Sequence, residues 1–296
     1  MTYRYNRNNV CITDYAGFMN RGANALQPSP YFPDKYVLAE GDSWFHIGGL
    51  NGAGNARNLL DEITVNDKQA LLLNMALAGD TVRRISESFK SERFKMMLAN
   101  YKWDLILLSA GGNDLIDALT KDLDYVVNGN VLSIIQSATD NNNFMSYINE
   151  EDLKILLEFL TKRYTELFAY ISTTQNNNVP IIIHTYDYPT PRNAPADVFI
   201  FKKGAWLIEA FNSKEVPETY WVEITDHIFD MLALALFKLN NDNIHVVKTH
   251  GTLTRAEKVE GNSNDWLNEI HPNSTGLKKL AEKINTKIIQ VVSQIT

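Results

Sequence analysis

The chain has 296 residues, 45% of them apolar, which suffices for one sizeable core and argues against a string of small modules. A formal net charge of −7 speaks against nucleic acid as a partner. The one cysteine, Cys11, excludes an intramolecular disulfide and a thiolate zinc cluster within the chain.

The first twenty residues contain no apolar run of secretory-signal length, and no stretch reaches the roughly 18 apolar residues of a membrane span. A cytoplasmic location without a membrane span is therefore expected. Short continuous apolar runs predict strands at Tyr36–Glu40, Leu71–Asn74, Asp104–Ser109, Val179–His184 and Ile244–Val247. Such runs suit strands covered on both faces, as in a parallel sheet. Helices fill the gaps. Leu153, Leu156, Leu157, Leu160, Tyr164, Leu167, Phe168 and Ile171 recur at helical spacing over 149–171, with Asn149 as N-cap and Glu150 and Glu151 in the first turn. A second stripe runs over 225–239, and a third begins near Ser274 with Leu277, Leu280, Ala281, Ile284, Ile288 and Val292. Strands alternating with helices predict a three-layer α/β/α sandwich around a mostly parallel five-stranded sheet. The whole of 1–296 reads as one domain. Two segments look inserted: about 116–148, rich in Asp and Asn, and about 186–224, rich in Pro and aromatics.

In open parallel sheets the site lies beyond the carboxyl ends of the strands. Ser43, Gly79, Asn113 and Tyr186 all fall there. Ser43, in Gly41-Asp42-Ser43-Trp44-Phe45, joins a strand to a helix, so its hydroxyl and its own N–H can face one pocket. The plain alternative is a helix-capping serine. Asn113, in Gly111-Gly112-Asn113-Asp114, can donate its side-chain amide to a developing oxyanion, though the same residues make an ordinary turn. Gly79 can offer a bare N–H, or can simply supply a turn with positive φ. His271, followed by Pro272, is a candidate general base, because an imidazole pKa of about 6.5 suits proton transfer at neutral pH. Asp42 reads as a structural carboxylate at the turn.

Taken together, these blocks resemble the SGNH (GDSL) hydrolase family over about residues 36–290. The resemblance implies a flavodoxin-like sandwich and a small-molecule ester substrate. It makes Ser43 the nucleophile and His271 the base, and forms the oxyanion hole from Ser43 N–H, Gly79 N–H and the Asn113 side chain. It implies no metal and no organic cofactor. One position departs from the pattern. The family places Asp three residues before the histidine, where this chain has Asn268. An asparagine oxygen can fix the imidazole tautomer but does not stabilise imidazolium as a carboxylate does. Asp265 and Glu269 are the other candidates for the role, with Asn268 preferred.

The reaction expected is acyl transfer to water, falling off as pH drops through the His271 pKa. The rival is an SGNH-fold binding module for a sugar or lipid, catalytically weak or inactive. A metal-dependent phosphodiesterase fits less well, since His184 and Asp187 with His245 or His250 read as structural rather than as ligands. Residues 48–54, after His46, suggest a flexible rim. Tyr186, Tyr188, Phe199, Phe201, Trp206 and Phe211 either line an acyl or alcohol pocket or pack a cap on the sheet.

Overall fold

The computed structural model describes residues 4–6, 8, 10–20, 33–46, 57–65, 69–87, 89–119, 125–138, 143–198 and 201–293. The chain opens with β1 (Arg4–Tyr5), β2 (Val10–Thr13) and α1 (Tyr15–Asn20), then β3 (Lys35–Gly41) and the single turn α2 (Ser43–His46). Next come β4 (Ala70–Asn74), α3 (Val82–Glu87), α4 (Phe89–Asn100), β5 (Leu105–Ser109) and α5 (Gly112–Leu119). A hairpin, β6 (Val126–Val127) and β7 (Asn130–Val131), precedes α6 (Glu150–Ser172) and β8 (Ile181–His184). A second hairpin, β9 (Ala196–Val198) and β10 (Phe201–Lys203), leads to α7 (Trp206–Ser213), α8 (Trp221–Phe237), β11 (Ile244–Val247) and α9 (Ser274–Val292).

Among the described residues the main sheet has seven strands in the order β1-β2-β4-β3-β5-β8-β11, flanked by helices in a three-layer sandwich. All neighbours are parallel except β1, which pairs antiparallel with β2 at one edge. The five strands read from sequence are all present, and the sheet is wider than expected by β1 and β2. Val10-Cys11-Ile12-Thr13 is only four residues long between polar neighbours, so its apolar run gave little signal, yet all four side chains are buried against β4.

Helix ends follow local chemistry. Asn149 caps α6 by accepting from Asp152 N–H, with Glu150, Glu151 and Asp152 in the first turn. Asn273 caps α9 by accepting from Thr275 and Gly276 N–H. α8 begins at Trp221 rather than Thr225, continuing a 3₁₀ turn at Glu218–Tyr220. Ile116 to Leu119 belong to α5, with Ile116, Ala118 and Leu119 buried, and the β6–β7 hairpin follows. Among the described residues, no helix is long and apolar enough to cross a membrane.

The order β4-β3-β5-β8-β11 is the doubly wound pattern 2-1-3-4-5, which reverses between β3 and β5. Their carboxyl ends meet there, with Gly41 paired to Ser109. A crevice opens at such a reversal because the connections on either side leave in opposite directions.

Candidate active site

Ser43 starts α2 directly beyond β3. The approach is close: a Cβ at Gly41 would lie 2.5 Å from the Ser109 carbonyl oxygen, so only glycine fits beside the end of β5. Asp42 N–H donates to that same carbonyl at 2.8 Å. The Asp42 carbonyl accepts from Phe45 and His46 N–H, and its side chain accepts from Trp44 N–H at 3.0 Å. Among the described residues no group accepts from Ser43 N–H. Asp42 Oδ1 also lies 2.9 Å from Ser109 Oγ, and Oδ2 accepts from the Tyr186 hydroxyl. The expectation of a structural carboxylate thus gains specific partners.

Ser43 Oγ lies 2.8 Å from His271 Nε2, although 228 residues separate them. On the other side of the ring, His271 Nδ1 lies 2.9 Å from Asn268 Oδ1. The same oxygen accepts from Ile270 N–H at 3.1 Å and His271 N–H at 2.9 Å. Those two backbone donors assign the amide, since its NH₂ end could not face them. Nδ1 therefore carries the hydrogen, and Nε2 presents a lone pair to Ser43. Burial pushes the His271 pKa down to about 4. The fall in activity expected near the ordinary histidine value accordingly moves to lower pH.

The other two candidates for orienting His271 face elsewhere. Asp265 Oδ2 accepts from Lys279 Nζ and Thr254 N–H, both at 2.6 Å. Glu269 is fully buried at the start of α7, where its carboxylate accepts from Leu207, Ile208 and Arg192 N–H. Ala205, the N-cap of α7, offers no side-chain acceptor, so Glu269 serves that helix end instead. Burial, opposed by these three N–H groups, leaves its pKa at about 7.

Asn113, at the start of α5, donates Nδ2–H to the Asp80 carbonyl at 2.9 Å. Among the described residues its other amide hydrogen has no acceptor. Gly79 sits at a positive φ of 80° in the exposed turn Leu77–Asp80, one residue from the carbonyl that Asn113 holds. Asp114 ties the same turn from behind: it accepts from Val82 N–H at 2.8 Å and from the Tyr125 hydroxyl.

Ser43, Asn113, Gly112, Trp44, Ile116, Tyr186, Pro189, Phe229 and Ile270, with Asp42 and Asp187, line a cleft of about 340 Å³, part of it open to solvent. Gly79 is not in its lining. The Tyr186 ring lies so close over α5 that a Cβ at Gly112 would be 2.8 Å from it. Trp44, unremarked in the sequence, packs edge-on to Tyr186 and donates Nε1–H to the Ile270 carbonyl at 3.3 Å, next to His271. Trp206 stands edge-on to His271 with centroids 6.1 Å apart. Tyr188 instead bonds Asp230, and Phe211 packs on Trp221. Phe199, the side chain of Phe201 and the rim at 48–54 lie outside the described residues.

Arg192 had no signal in the sequence. It is 2% exposed, and its guanidinium donates to the Val259, Gly261 and Asn268 carbonyls. It thereby pins the loop that carries Asn268 and His271. Of the residues weighed as metal ligands, Asp187 and His184 are held by other partners. Asp187 accepts from Gly251, Thr252 and Leu253 N–H, and His184 contacts the Thr185 carbonyl and Ser109 Oγ. Among the described residues, no group of three or more His, Cys, Asp or Glu side chains converges as a metal would require.

No curated protein matches the chain in sequence. Among solved structures it is similar to an α/β hydrolase from the metagenome of Lake Arreo, Spain, at 15% identity, covering 88% of this chain and 98% of that one with a TM-score of 0.43. It is also similar to a catalytic mutant of an acetylxylan esterase from Geobacillus stearothermophilus, at 14% identity, covering 86% and 94% with a TM-score of 0.42. The family model for GDSL-like lipases and acylhydrolases matches residues 37–284, most of the chain including every block described above, and the protein therefore belongs to the GDSL-like lipase/acylhydrolase family.

Proposed function

We propose that the protein is a serine hydrolase of carboxylic esters, with Ser43 as nucleophile, His271 as base and Asn268 as the group that orients the base. The observation that carries this reading is the continuous contact Ser43 Oγ–His271 Nε2–His271 Nδ1–Asn268 Oδ1, at 2.8 and 2.9 Å. His271 Nε2 takes the Ser43 proton as Oγ attacks the ester carbonyl carbon. The tetrahedral oxyanion is held by Ser43 N–H and the free Asn113 amide hydrogen, with Gly79 N–H as a third donor from the adjoining turn. One such donor is typically worth about 3 to 4 kcal/mol of barrier. On collapse, the C–O bond to the alcohol breaks and His271 returns its proton to the leaving oxygen. Water, deprotonated by His271, then attacks the acyl-enzyme carbonyl, and as the bond to Ser43 Oγ breaks His271 gives that proton to Oγ, releasing the acid and free Ser43.

Trp44, Ile116, Pro189, Phe229 and Ile270 form the apolar part of the cleft wall beside Ser43 and Asn113, and no long apolar channel leads away among the residues that line it. This supports short acyl chains, acetyl to butyryl. The test is hydrolysis of p-nitrophenyl esters from acetate to decanoate, with EDTA present, by wild type and Ser43→Ala. The expected outcome is metal-independent turnover, greatest for the short esters and lost in the variant. A fluorophosphonate that labels Ser43 in an enzyme silent toward all these esters points to a narrower substrate. No labelling favours the second reading, a sugar- or lipid-binding module, whose support is an amide at 268 in place of a carboxylate.

A further inference from the structure

Beneath the nucleophile lies a polar chain that the acyl-transfer scheme does not use. Asp42 Oδ1 is 2.9 Å from Ser109 Oγ, and Ser109 Oγ is 2.9 Å from His184 Nε2. The three residues are 2%, 0% and 1% exposed. His184 Nδ1 lies 3.0 Å from the Thr185 carbonyl oxygen. A carbonyl only accepts, so Nδ1 carries a hydrogen. In a neutral imidazole Nε2 is then a bare acceptor that needs the Ser109 hydroxyl hydrogen. An ionised Asp42 would need the same hydrogen, and Ser109 has one. Trp44 N–H reaches the same Oδ1 and the Tyr186 hydroxyl reaches Asp42 Oδ2, so both oxygens keep a donor, but neither places a hydrogen between Oδ1 and Ser109 Oγ. Two buried oxygens 2.9 Å apart with no hydrogen between them repel each other.

One further proton on the chain satisfies every group. We infer that the Asp42 carboxyl carries it in the working enzyme, donating to Ser109 while Ser109 donates to His184, so that His184 is a positioning residue that keeps the floor of the site neutral. The other arrangement, an imidazolium at His184 facing an Asp42 carboxylate, buries two charges. Burial opposes it at both ends, pushing Asp42 up to about 7 and His184 down to about 4. The groups that face Asp42 are Ser109 from β5, Asp114 from α5, Tyr164 from α6 and Tyr186 after β8, and none of them is a cation. Asp114 disfavours a second negative charge nearby. Around His184 stand Ser109, the Thr185 carbonyl and the rings of Trp44, Phe45 and Tyr186.

The consequence is electrostatic. Asp42 shapes the turn that aims Ser43 N–H, through its carbonyl and its side chain. A carboxylate next to Ser43 would oppose the oxyanion forming at that N–H. A neutral acid makes the same hydrogen bonds without that field. This consequence rests on the acyl-transfer reading, whereas the position of the proton can be tested without it.

The experiment has two arms. In the first, histidine-selective nitrogen NMR of the wild type at about pH 6 reports the His184 tautomer, assigned with His184→Gln. Infrared spectra at the same pH report the C=O stretch of a protonated carboxyl, assigned with Asp42→Asn. A neutral Nδ1–H imidazole together with an acid band that the Asn variant removes is the expected result. An imidazolium at His184, or no such band, overturns the inference. In the second arm, the Gln amide of His184→Gln donates to Ser109, frees the Ser109 hydrogen for Asp42 and lets it ionise. The acid band should vanish and kcat at about pH 6 should fall roughly tenfold or more, with KM unchanged. In the wild type the same loss should appear only as pH rises through about 7. A variant that loses the band yet keeps wild-type kcat overturns the positioning role. A wild type that shows the band but cleaves no ester retains the proton chain and removes the acyl-transfer reading instead.

Discussion

Asn268 Oδ1 receives three hydrogens, and two of them are backbone N–H groups that hold the oxygen in place whether or not the imidazole is charged. The residue therefore sets the His271 tautomer but contributes no negative charge when the ring takes a proton. Asn268→Ala is expected to lower kcat on the order of 10²-fold with little change in KM. Asp265→Ala should cost stability more than turnover, because it strands Thr254 N–H and releases Lys279. Steady-state kinetics with the reverse ranking would shift the orienting role to Asp265. The pH dependence has a definite sign. A pKa lowered to about 4 means that neutral His271 persists as pH falls, so the acid limb of kcat/KM should lie near pH 4 and the profile should be level from about pH 5 to 6.5. Asn268→Asp adds a carboxylate beside the ring, favours imidazolium and should move that limb to higher pH. A wild-type limb at about 6.5 would mean that water reaches the ring freely. The sequence singled out Ser43, Asn113 and His271 because each sits in a short block whose neighbours carry the signal, and the structure brings Ser43 and His271 into contact. Ser109 and Arg192 carried no such signal, and His184 read only as structural, since each gains its meaning from partners on other strands or loops.

α5 and α7 show how elements place the site. Gly112 opens α5 directly under the Tyr186 ring, so Gly112→Ala must displace that ring and with it the hydroxyl bonded to Asp42. The expected result is a fall in kcat of tenfold or more at nearly constant KM, read from kinetics on a short ester; an unchanged kcat would show that Tyr186 can move without disturbing Ser43. α7 has no capping side chain of its own and borrows Glu269 from the loop that carries His271. Glu269→Ala leaves buried N–H groups unpaired and should cost about 2 to 4 kcal/mol in denaturant unfolding. No shift in the unfolding midpoint would mean that water replaces the carboxylate there. The long amphipathic helices were readable because their buried stripes repeat over several turns, as in α6 and α9. Short elements such as α3 and α7 hold too few turns for periodicity to stand out, and tertiary contacts define them.

At the scale of the whole molecule, β2 extends the sheet beyond β4 and buries Val10, Cys11 and Ile12, while Asn6 Nδ2 bonds the Leu60 and Ile63 carbonyls. Removing residues 1–14 should lower stability by roughly 5 kcal/mol and expose the β4 edge to other chains. Denaturant midpoints and light scattering would check this, and an unchanged midpoint would make β1 and β2 ornamental. The central strands were legible because strands buried on both faces are apolar throughout. The edge was not, because four residues between polar neighbours resemble many loops. The span between Ser43 and His271 has a further consequence. During synthesis the strand that presents Ser43 emerges well before His271 and the helix that follows it, with 228 residues between the two side chains. A ribosome-bound chain can thus build most of its sheet with the alcohol already in position and no group to take its proton. On the acyl-transfer reading, such a partial chain is inert toward esters until His271 has been made, so the order of the chain itself would act as a timer on reactivity.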